Sequence, residues 1–223
     1  MRMIAAHKAM TVMTASFTGV AAHSSLTPSG VNAIEYASRF VVYARNLADS
    51  MRDSGPFDEA YDVPHTTMSV NEISGGIAQN TVPDRCDVTV EFRAIAENDP
   101  EEIVGHLREC IDDLDTRMRE ENPDAGATLT VLSAVVGLDT APDSEGARFV
   151  ADLVSRTEGL TDTEPVKVTY GTEAGLFSKA GIDTLVLGPG DIAQAHAADE
   201  FVELDQIRAC ERFFSALAAR LSE

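Results

Sequence analysis

The sequence predicts a mixed α/β (α+β) fold built as two successive units. The first observation is the order of patterns up to about residue 137, which runs strand, helix, strand, strand, helix, strand. This order is the split βαβ arrangement of a ferredoxin-like βαββαβ sandwich. The second observation is that the order changes after residue 142 to helix, strand, helix, strand, helix. These strands are too few to cover a large core, so we expect the second unit to require further strands.

The elements of the first unit follow from hydrophobic periodicity. Alternating residues on the segment DVTVEFRA give the clearest strand, because Val88, Val90 and Phe92 share one face. Helical spacing of apolar residues predicts a helix over 31–47, and acidic residues at 101–102 suit the start of a second helix that ends before Pro123. The remaining predicted strands of this unit are 11–20, 66–73 and 127–136.

The second unit is predicted from shorter signals. A short apolar run at 184–187, broken by Gly188, indicates a buried strand, and Gly181 suits the end of a preceding helix. An amphipathic pattern with Phe213 and Phe214 predicts a last helix over 203–221. The other predicted elements are a helix at 144–157, a strand at 166–170 and a helix reaching Lys179.

Composition excludes several classes of function. The chain has 223 residues and a net charge of −20, a surface that repels nucleic acid and anionic membranes. A highly soluble or salt-adapted protein would carry the same charge, so the charge identifies no ligand. No long apolar run could span a membrane, and no signal peptide is recognised. Three separated cysteines without a CxxC pair favour a reducing compartment, and we expect a cytoplasmic protein.

Two histidines lie in loops where chemistry is common. His196 follows the predicted strand 184–187 in the loop GPGDIAQAH, and imidazole is a frequent metal ligand and proton carrier. His23 lies in a loop rich in Ser, Thr, Pro and Gly, from which it could donate to a ligand oxygen. Spacing alone favours a solvated loop residue for both histidines, and one histidine cannot hold a metal.

Polar residues elsewhere offer ligand contacts of weaker specificity. Asn80 could offer an amide, and Arg93 could bind a carboxylate with its forked guanidinium or pair with Glu91 or Glu97 instead. Gly171 and Thr172 form a turn whose N–H groups suit an anion or a carbonyl oxygen, although Thr172 could simply cap the next helix.

Four stretches in order resemble the M20 metallohydrolases: HSSLTPSGVNAIEYA, PFDEAYDVP, GGIAQNTVPDRCDVTVEFR and YGTEAGLFSKAGIDTLVLGPGDIAQAHAADEF. The resemblance implies an amidohydrolase in which a catalytic α/β domain holds two zinc ions. It also implies an inserted ferredoxin-like domain that forms a homodimer. On this basis 1–9 is a linker from the catalytic domain, 10–140 the dimerisation domain and 141–223 the C-terminal part of the zinc-hydrolase catalytic domain.

The resemblance also assigns roles to the candidate residues. His196 matches the last zinc ligand, and His23 matches a catalytic histidine that enters the partner's active site and steadies an oxyanion. Asn80 and Arg93 match substrate-binding positions of the inserted domain. Gly171 and Thr172 match a substrate-contacting turn, and Glu173 is adjacent to it.

The family's other zinc ligands and its general-base glutamate precede the segment that matches Ala6-His7-Lys8. We therefore expect Met1 to lie inside a longer parent sequence, and the isolated chain to be inactive and to bind zinc weakly, if at all. The expected reaction of the parent is hydrolysis of the N-acetyl amide of an ornithine-like amino acid. The alternatives are a succinyl-diaminopimelate desuccinylase, an aminoacylase, or a dimerisation module without catalysis.

Overall fold

A computed structural model of the chain describes residues 1–222. The chain forms two compact units. One comprises Lys8–Val135, and the other comprises Met1–His7 together with the chain from Val136 onward. The first residues, expected to form a linker, thus include a strand of the smaller sheet.

The strands and helices are, in chain order, β1 (Ile4–His7), β2 (Ala9–Thr18), β3 (Ala22–His23), α1 (Ala33–Ser54), β4 (Thr67–Gly75), β5 (Thr81–Val82), β6 (Arg85–Ala94), α2 (Pro100–Glu121), β7 (Gly126–Val135), β8 (Leu138–Asp139), α3 (Glu145–Arg156), β9 (Val166–Val168), α4 (Ala174–Lys179) and α5 (Leu204–Arg220). Short 3-10 turns cover Ser24–Ser29 and Ile192–Gln194.

The unit Lys8–Val135 has the predicted ferredoxin-like topology. Its four-stranded sheet has the order β4-β6-β2-β7, and every neighbouring pair is antiparallel. Helix α1 connects β2 to β4, and α2 connects β6 to β7. The βαββαβ arrangement expected from the order of patterns is therefore confirmed.

Alternating burial fixes the register of this sheet. On β6, Val88, Val90 and Phe92 are fully buried, whereas the intervening residues are partly exposed. The buried face meets helices α1 and α2, and the rings of Phe17 and Phe40 lie 6.2 Å apart at this interface. A one-residue slip would expose this entire apolar set, so burial specifies the register.

Side-chain caps set the starts of both helices. Asn32 accepts hydrogen bonds from the backbone N–H groups of Ile34 and Glu35, and Asp99 accepts one from Glu101. Helix α1 is longer than the 31–47 pattern predicts, because buried Met51 extends its apolar stripe. It ends at Gly55, whose φ of 70° suits glycine.

The second unit is a smaller α/β assembly. Its sheet has the order β8-β1-β9, with β1 antiparallel to β8 and parallel to β9. The predicted buried strand at 184–187 is only partly correct, because Val186 makes an isolated antiparallel bridge with Ile4 and the segment is half-buried. Met3, Leu153, Val154 and Phe213 lie in the apolar core of this unit. Among residues 1–222, no helix has the length and apolarity needed to cross a bilayer.

Candidate functional site

His23 is exposed at the end of the short strand β3, where it begins a 3-10 turn. Its Nδ1 accepts a hydrogen bond from the backbone N–H of Ser25 at 3.2 Å and lies 2.8 Å from the Ser25 hydroxyl. Because Nδ1 is an acceptor, a neutral His23 carries its proton on Nε2. The ring can therefore present one N–H donor to a ligand.

Asn80 lies beside His23. The backbone N–H of Ser24 donates to the carbonyl oxygen of Asn80 at 3.0 Å, and His23 is the Cα partner of Thr81 in the β3–β5 pair. Asn80 is exposed. His23 and Asn80 are 57 positions apart in the sequence, and they lie close together because the two-residue strands β3 and β5 pair.

Arg93 has the alternative role that the sequence left open. Its Nε donates to Glu91 Oε1 at 2.8 Å, and both side chains are about one-third exposed or less. The two residues point to the same face of β6, since they are two positions apart on a strand. A partly exposed pair of this kind contributes little to stability, so a ligand carboxylate could compete with Glu91 for the guanidinium.

His23 lies beyond the Thr18 end of the four-stranded sheet, on the separate two-stranded pair of β3 and β5, whereas Arg93 lies near the opposite end of that sheet. Arg93 is paired with Met10 and Arg85 with Thr18, and β3, which carries His23, follows the Thr18 end. Arg85 and Arg93 are eight residues apart, roughly 26 Å at about 3.3 Å per strand residue. One copy of this unit therefore does not bring these two candidates to one small ligand.

The Gly171–Thr172 turn is held by His7. The backbone N–H of Thr172 donates to His7 Nε2 at 3.3 Å, and the Thr172 hydroxyl lies 3.0 Å from the same nitrogen. The hydroxyl also accepts from the backbone N–H of Ala174 at 3.1 Å. The Thr172 hydroxyl thus accepts from the first residue of α4 while bonded to His7, although the N-cap residue of this helix is Glu173 and not Thr172.

His196 lies exposed in the loop after Gly190 with a left-handed backbone, at φ 61°. Such a conformation is uncommon for a residue other than glycine. The backbone N–H of His196 donates to Glu200 Oε2 at 3.2 Å, which helps hold it. Gln206 on α5 fixes the start of the loop by accepting from the backbone N–H of Gly190 at 2.8 Å.

An open cavity of about 690 Å³ lies beside this loop, within the second unit. Ala195, the neighbour of His196, contributes to its wall together with Arg2, Tyr170 and Asp191. Burial raises the pKa of Tyr170, while Arg2 opposes and Asp191 adds to that increase. The cavity therefore has both charged and apolar walls.

The described residues do not form a complete metal site. Within 1–222, no group of three or more His, Cys, Asp and Glu side chains is arranged to hold a metal ion. A catalytic zinc normally has three protein ligands, and His196 would supply one. The donor set present here therefore does not fit zinc by itself.

Comparison with known proteins identifies the family. Residues 5–118 match the M20 peptidase dimerisation domain, and this segment is half of the chain. The chain belongs to the M20 family of peptidases and amidohydrolases.

Curated relatives and solved structures agree with this assignment. The acetylornithine deacetylase of Myxococcus xanthus is 30% identical over 90% of this chain and 50% of its own length. That of Salmonella heidelberg is 31% identical over 90% and 49%. The chain thus spans about half the length of the curated relatives it matches. Aminopeptidase PepT from Bacillus cereus shares the fold with a TM-score of 0.71 at 20% identity, covering 100% of this chain and 54% of its own. A tripeptidase from Staphylococcus aureus has a TM-score of 0.66 at 20% identity, covering 97% and 52%.

Sequence reasoning did not find the supporting residues of the candidate sites. His7, Glu200 and Gln206 each bond to a candidate loop across a turn or from another element. Glu200 gave a local signal, since it lies four residues after His196. His7 and Gln206 gave none, because their partners are 165 and 16 residues away in the chain.

Proposed function

We propose that the chain is part of a zinc-dependent amidohydrolase of the acetylornithine deacetylase type. The reaction is hydrolysis of N-acetylornithine to ornithine and acetate, a step of arginine biosynthesis. The single observation that carries the proposal is the 30–31% identity to two such deacetylases, which extends over 90% of the chain. An identity spread over both units supports more than a shared dimerisation domain, because residues 119–223 lie outside the family match at 5–118.

The separation of His23 from Arg93 supports a site that two copies share. If both residues contact one substrate, they must come from different copies of Lys8–Val135, since Arg93 lies near one end of the four-stranded sheet and His23 lies beyond the other end. The family match to a dimerisation domain favours the same arrangement. We therefore propose a homodimer, formed through an edge strand or the helices of the ferredoxin-like unit.

The candidate residues have chemistry suited to an N-acyl amino acid. The Arg93 guanidinium can bind the substrate carboxylate in place of Glu91. The Nε2–H of His23 can donate to the oxygen that gains negative charge as the amide carbonyl becomes tetrahedral, and Asn80 next to it can offer a second polar contact. The Gly171–Thr172 turn would contact the same substrate.

The proposal assigns His196 as one zinc ligand. Since the described residues contain no group of three or more possible ligands, the remaining ligands of the zinc ion would have to come from other parts of the enzyme. The same reasoning leads us to expect the 223-residue chain by itself to be inactive. Its binding of small N-acyl amino acids would be tested separately from catalysis.

Complementation tests the proposed activity. We would co-express the chain with the half of the Myxococcus xanthus deacetylase that the chain does not match, and assay N-acetylornithine hydrolysis with and without zinc. The expected result is zinc-dependent hydrolysis that His196→Ala and His23→Ala each abolish. Unchanged hydrolysis in both variants would contradict the assigned roles, because activity would then come from the added half alone.

The chain by itself provides the matching control. Calorimetric titration with zinc and the same hydrolysis assay should both give no measurable signal. Tight zinc binding with turnover would show that 223 residues hold a full ligand set. Light scattering should give a dimer, and a monomer at all concentrations would contradict the shared site.

Substrate choice separates the remaining alternatives. Faster hydrolysis of N-succinyl-diaminopimelate or of other N-acyl amino acids by the co-expressed halves would favour the desuccinylase or the aminoacylase. A stable dimer without hydrolysis in any assembly would favour a dimerisation module. We also propose a cytoplasmic location, which is consistent with three cysteines that form no disulfide within residues 1–222.

A further inference from the structure

The hydrogen-bond donors of Thr172 are already used inside the protein. Its backbone N–H and its hydroxyl both approach one atom, Nε2 of His7, at 3.3 and 3.0 Å. A backbone N–H can only donate, so Nε2 must carry a lone pair and the His7 ring proton must lie on Nδ1. The hydroxyl then also donates to Nε2, while its oxygen accepts from Ala174. A chain of bonds thus runs from Ala174 through Thr172 to His7.

The burial of His7 and Thr172 keeps water from replacing the hydrogen bonds between them. His7 is 1% exposed and Thr172 is half-buried, whereas Gly171 is exposed. His7 is the last residue of β1, and its Cα partners are Leu138 on β8 and Val168 on β9. Both neighbouring strands therefore fix the backbone of His7, and only two residues separate the end of β9 from the turn at Gly171.

We infer that His7 is a positioning residue for the substrate-contacting turn, and that Thr172 shapes this turn instead of donating hydrogen bonds to the substrate. Gly171 is then the part of the turn that an N-acyl amino acid reaches. This inference rests on the proposed function for the identity of the ligand. The bond between His7 and Thr172 does not depend on that function.

Substitutions at His7 test the positioning role without any ligand. His7→Leu removes the acceptor, and amide hydrogen exchange at residue 172 should accelerate about fivefold, the ratio expected for loss of one ordinary hydrogen bond. His7→Gln keeps a carbonyl oxygen near the position of Nε2 and should restore most of the protection. Exchange at residue 172 that is the same in the wild type and in a folded His7→Leu variant would overturn the inference.

Nitrogen NMR of the wild type gives a readout that a purely space-filling role would not determine. The His7 ring should show a protonated Nδ1 and an unprotonated Nε2 that is coupled to the Thr172 amide. A protonated Nε2 would overturn the inference directly. This measurement also serves if His7→Leu does not fold.

Thr172→Val tests the ligand half, because valine keeps the shape of threonine and removes the hydroxyl. Thr172→Ser keeps the hydroxyl and should match the wild type in Ala174 exchange and in affinity for N-acetylornithine, followed by amide shifts at Gly171. Thr172→Val should weaken this affinity only as far as exchange at residues 172 and 174 accelerates. A tenfold weaker affinity in Thr172→Val with unchanged exchange at residues 172 and 174 would show that the hydroxyl contacts the ligand. If N-acetylornithine causes no shift at Gly171 in the co-expressed halves while the His7 results hold, the proposed substrate is wrong and the positioning role stands.

Discussion

The buried ammonium of Lys8 donates to the carbonyl oxygen of His65 at 2.6 Å and to that of Val63 at 2.8 Å. Lys8 is 2% exposed, and its Nζ lies 5.4 Å from the centre of the Tyr61 ring. Burial lowers the pKa of Lys8, and Arg93 lowers it further, whereas Asp58 opposes the change. This lysine therefore fastens the connection between α1 and β4 to the start of β2.

Lys8→Met should destabilise the chain by about 1–2 kcal/mol, because two carbonyl oxygens lose their charged donor while the methionine fills the same volume. Urea denaturation followed by circular dichroism measures the free energy of unfolding. Lys179→Met is the matched control, since Lys179 is exposed near the end of α4 and should change stability by less than about 0.5 kcal/mol. Equal effects of the two substitutions would contradict the anchoring role.

Cys110 should make stability fall as the solution becomes alkaline. Burial raises the pKa of the Cys110 thiol to about 11, and Asp113 adds to this while Arg117 opposes it. Between the unfolded value of 9.0 and about 11, the folded state keeps a proton that the unfolded state releases. The protonated thiol therefore makes its full contribution to the free energy of unfolding below pH 9, and this contribution is lost as the pH rises to about 11.

The difference in unfolding free energy between wild type and Cys110→Ala isolates this effect. It should be constant below pH 9 and should shift in favour of the alanine variant through pH 11. A difference that stays constant through pH 11 would show that the thiol titrates alike in both states. Cys210→Ala, measured over the same range, controls for loss of a thiol elsewhere.

Regular periodicity made the ferredoxin-like unit predictable. Val88, Val90 and Phe92 alternate with polar residues, and one buried face is enough to fix β6 and its register. The smaller unit was harder, because β1 and β9 have four and three residues and depend on pairing across the chain. Val186 shows the limit, since its apolar run could equally form a strand or the single bridge that the structure contains.

The sequence predicted which loops carry the candidate residues, but not which of these residues lie close together. His23 and Asn80 are close only because β3 pairs with β5, two strands of two residues each that no pattern marks. The opposite position of Arg93 follows from the antiparallel pairing of β2 and β6. Tertiary pairing decides both relationships, and local sequence carries neither.

Gly175 lies where the smaller unit has no room for a side chain. A Cβ at this position would be 2.1 Å from the carbonyl oxygen of Val136 and 2.6 Å from that of Gly137. Both contacts are with backbone, which cannot rotate away. Gly175→Ala should therefore destabilise this unit by about 1–3 kcal/mol, as overpacking of a buried site does.

Thermal unfolding and amide exchange in α5 measure this effect within the second unit. Gly188→Ala is the control, because a Cβ there meets no atom within 4 Å. An alanine at position 175 that leaves both measurements unchanged would mean that α4 moves away from the Val136–Gly137 backbone at little cost.

Gln206 should control the order of the loop that carries His196. Its side-chain oxygen accepts from the backbone N–H of Gly190 across 16 residues of chain, and Gly190 has a φ of 110°, a conformation that suits glycine. Gln206→Leu keeps the bulk and removes the acceptor. We expect amide exchange at Gly190 to accelerate about fivefold, the ratio for one lost hydrogen bond, and exchange at His196 to rise with it.

The hydrogen bond from the backbone N–H of His196 to Glu200 provides a comparison with that of Gln206, because it holds the other end of the same loop. Glu200→Gln keeps an oxygen that can accept from the backbone N–H of His196, so exchange at Gly190 should not change. Acceleration at Gly190 without a change at His196 in Gln206→Leu would show that the loop consists of two independent parts. Faster amide exchange at both Gly190 and His196 would show that α5 orders His196, the predicted metal ligand, through the single hydrogen bond of Gln206.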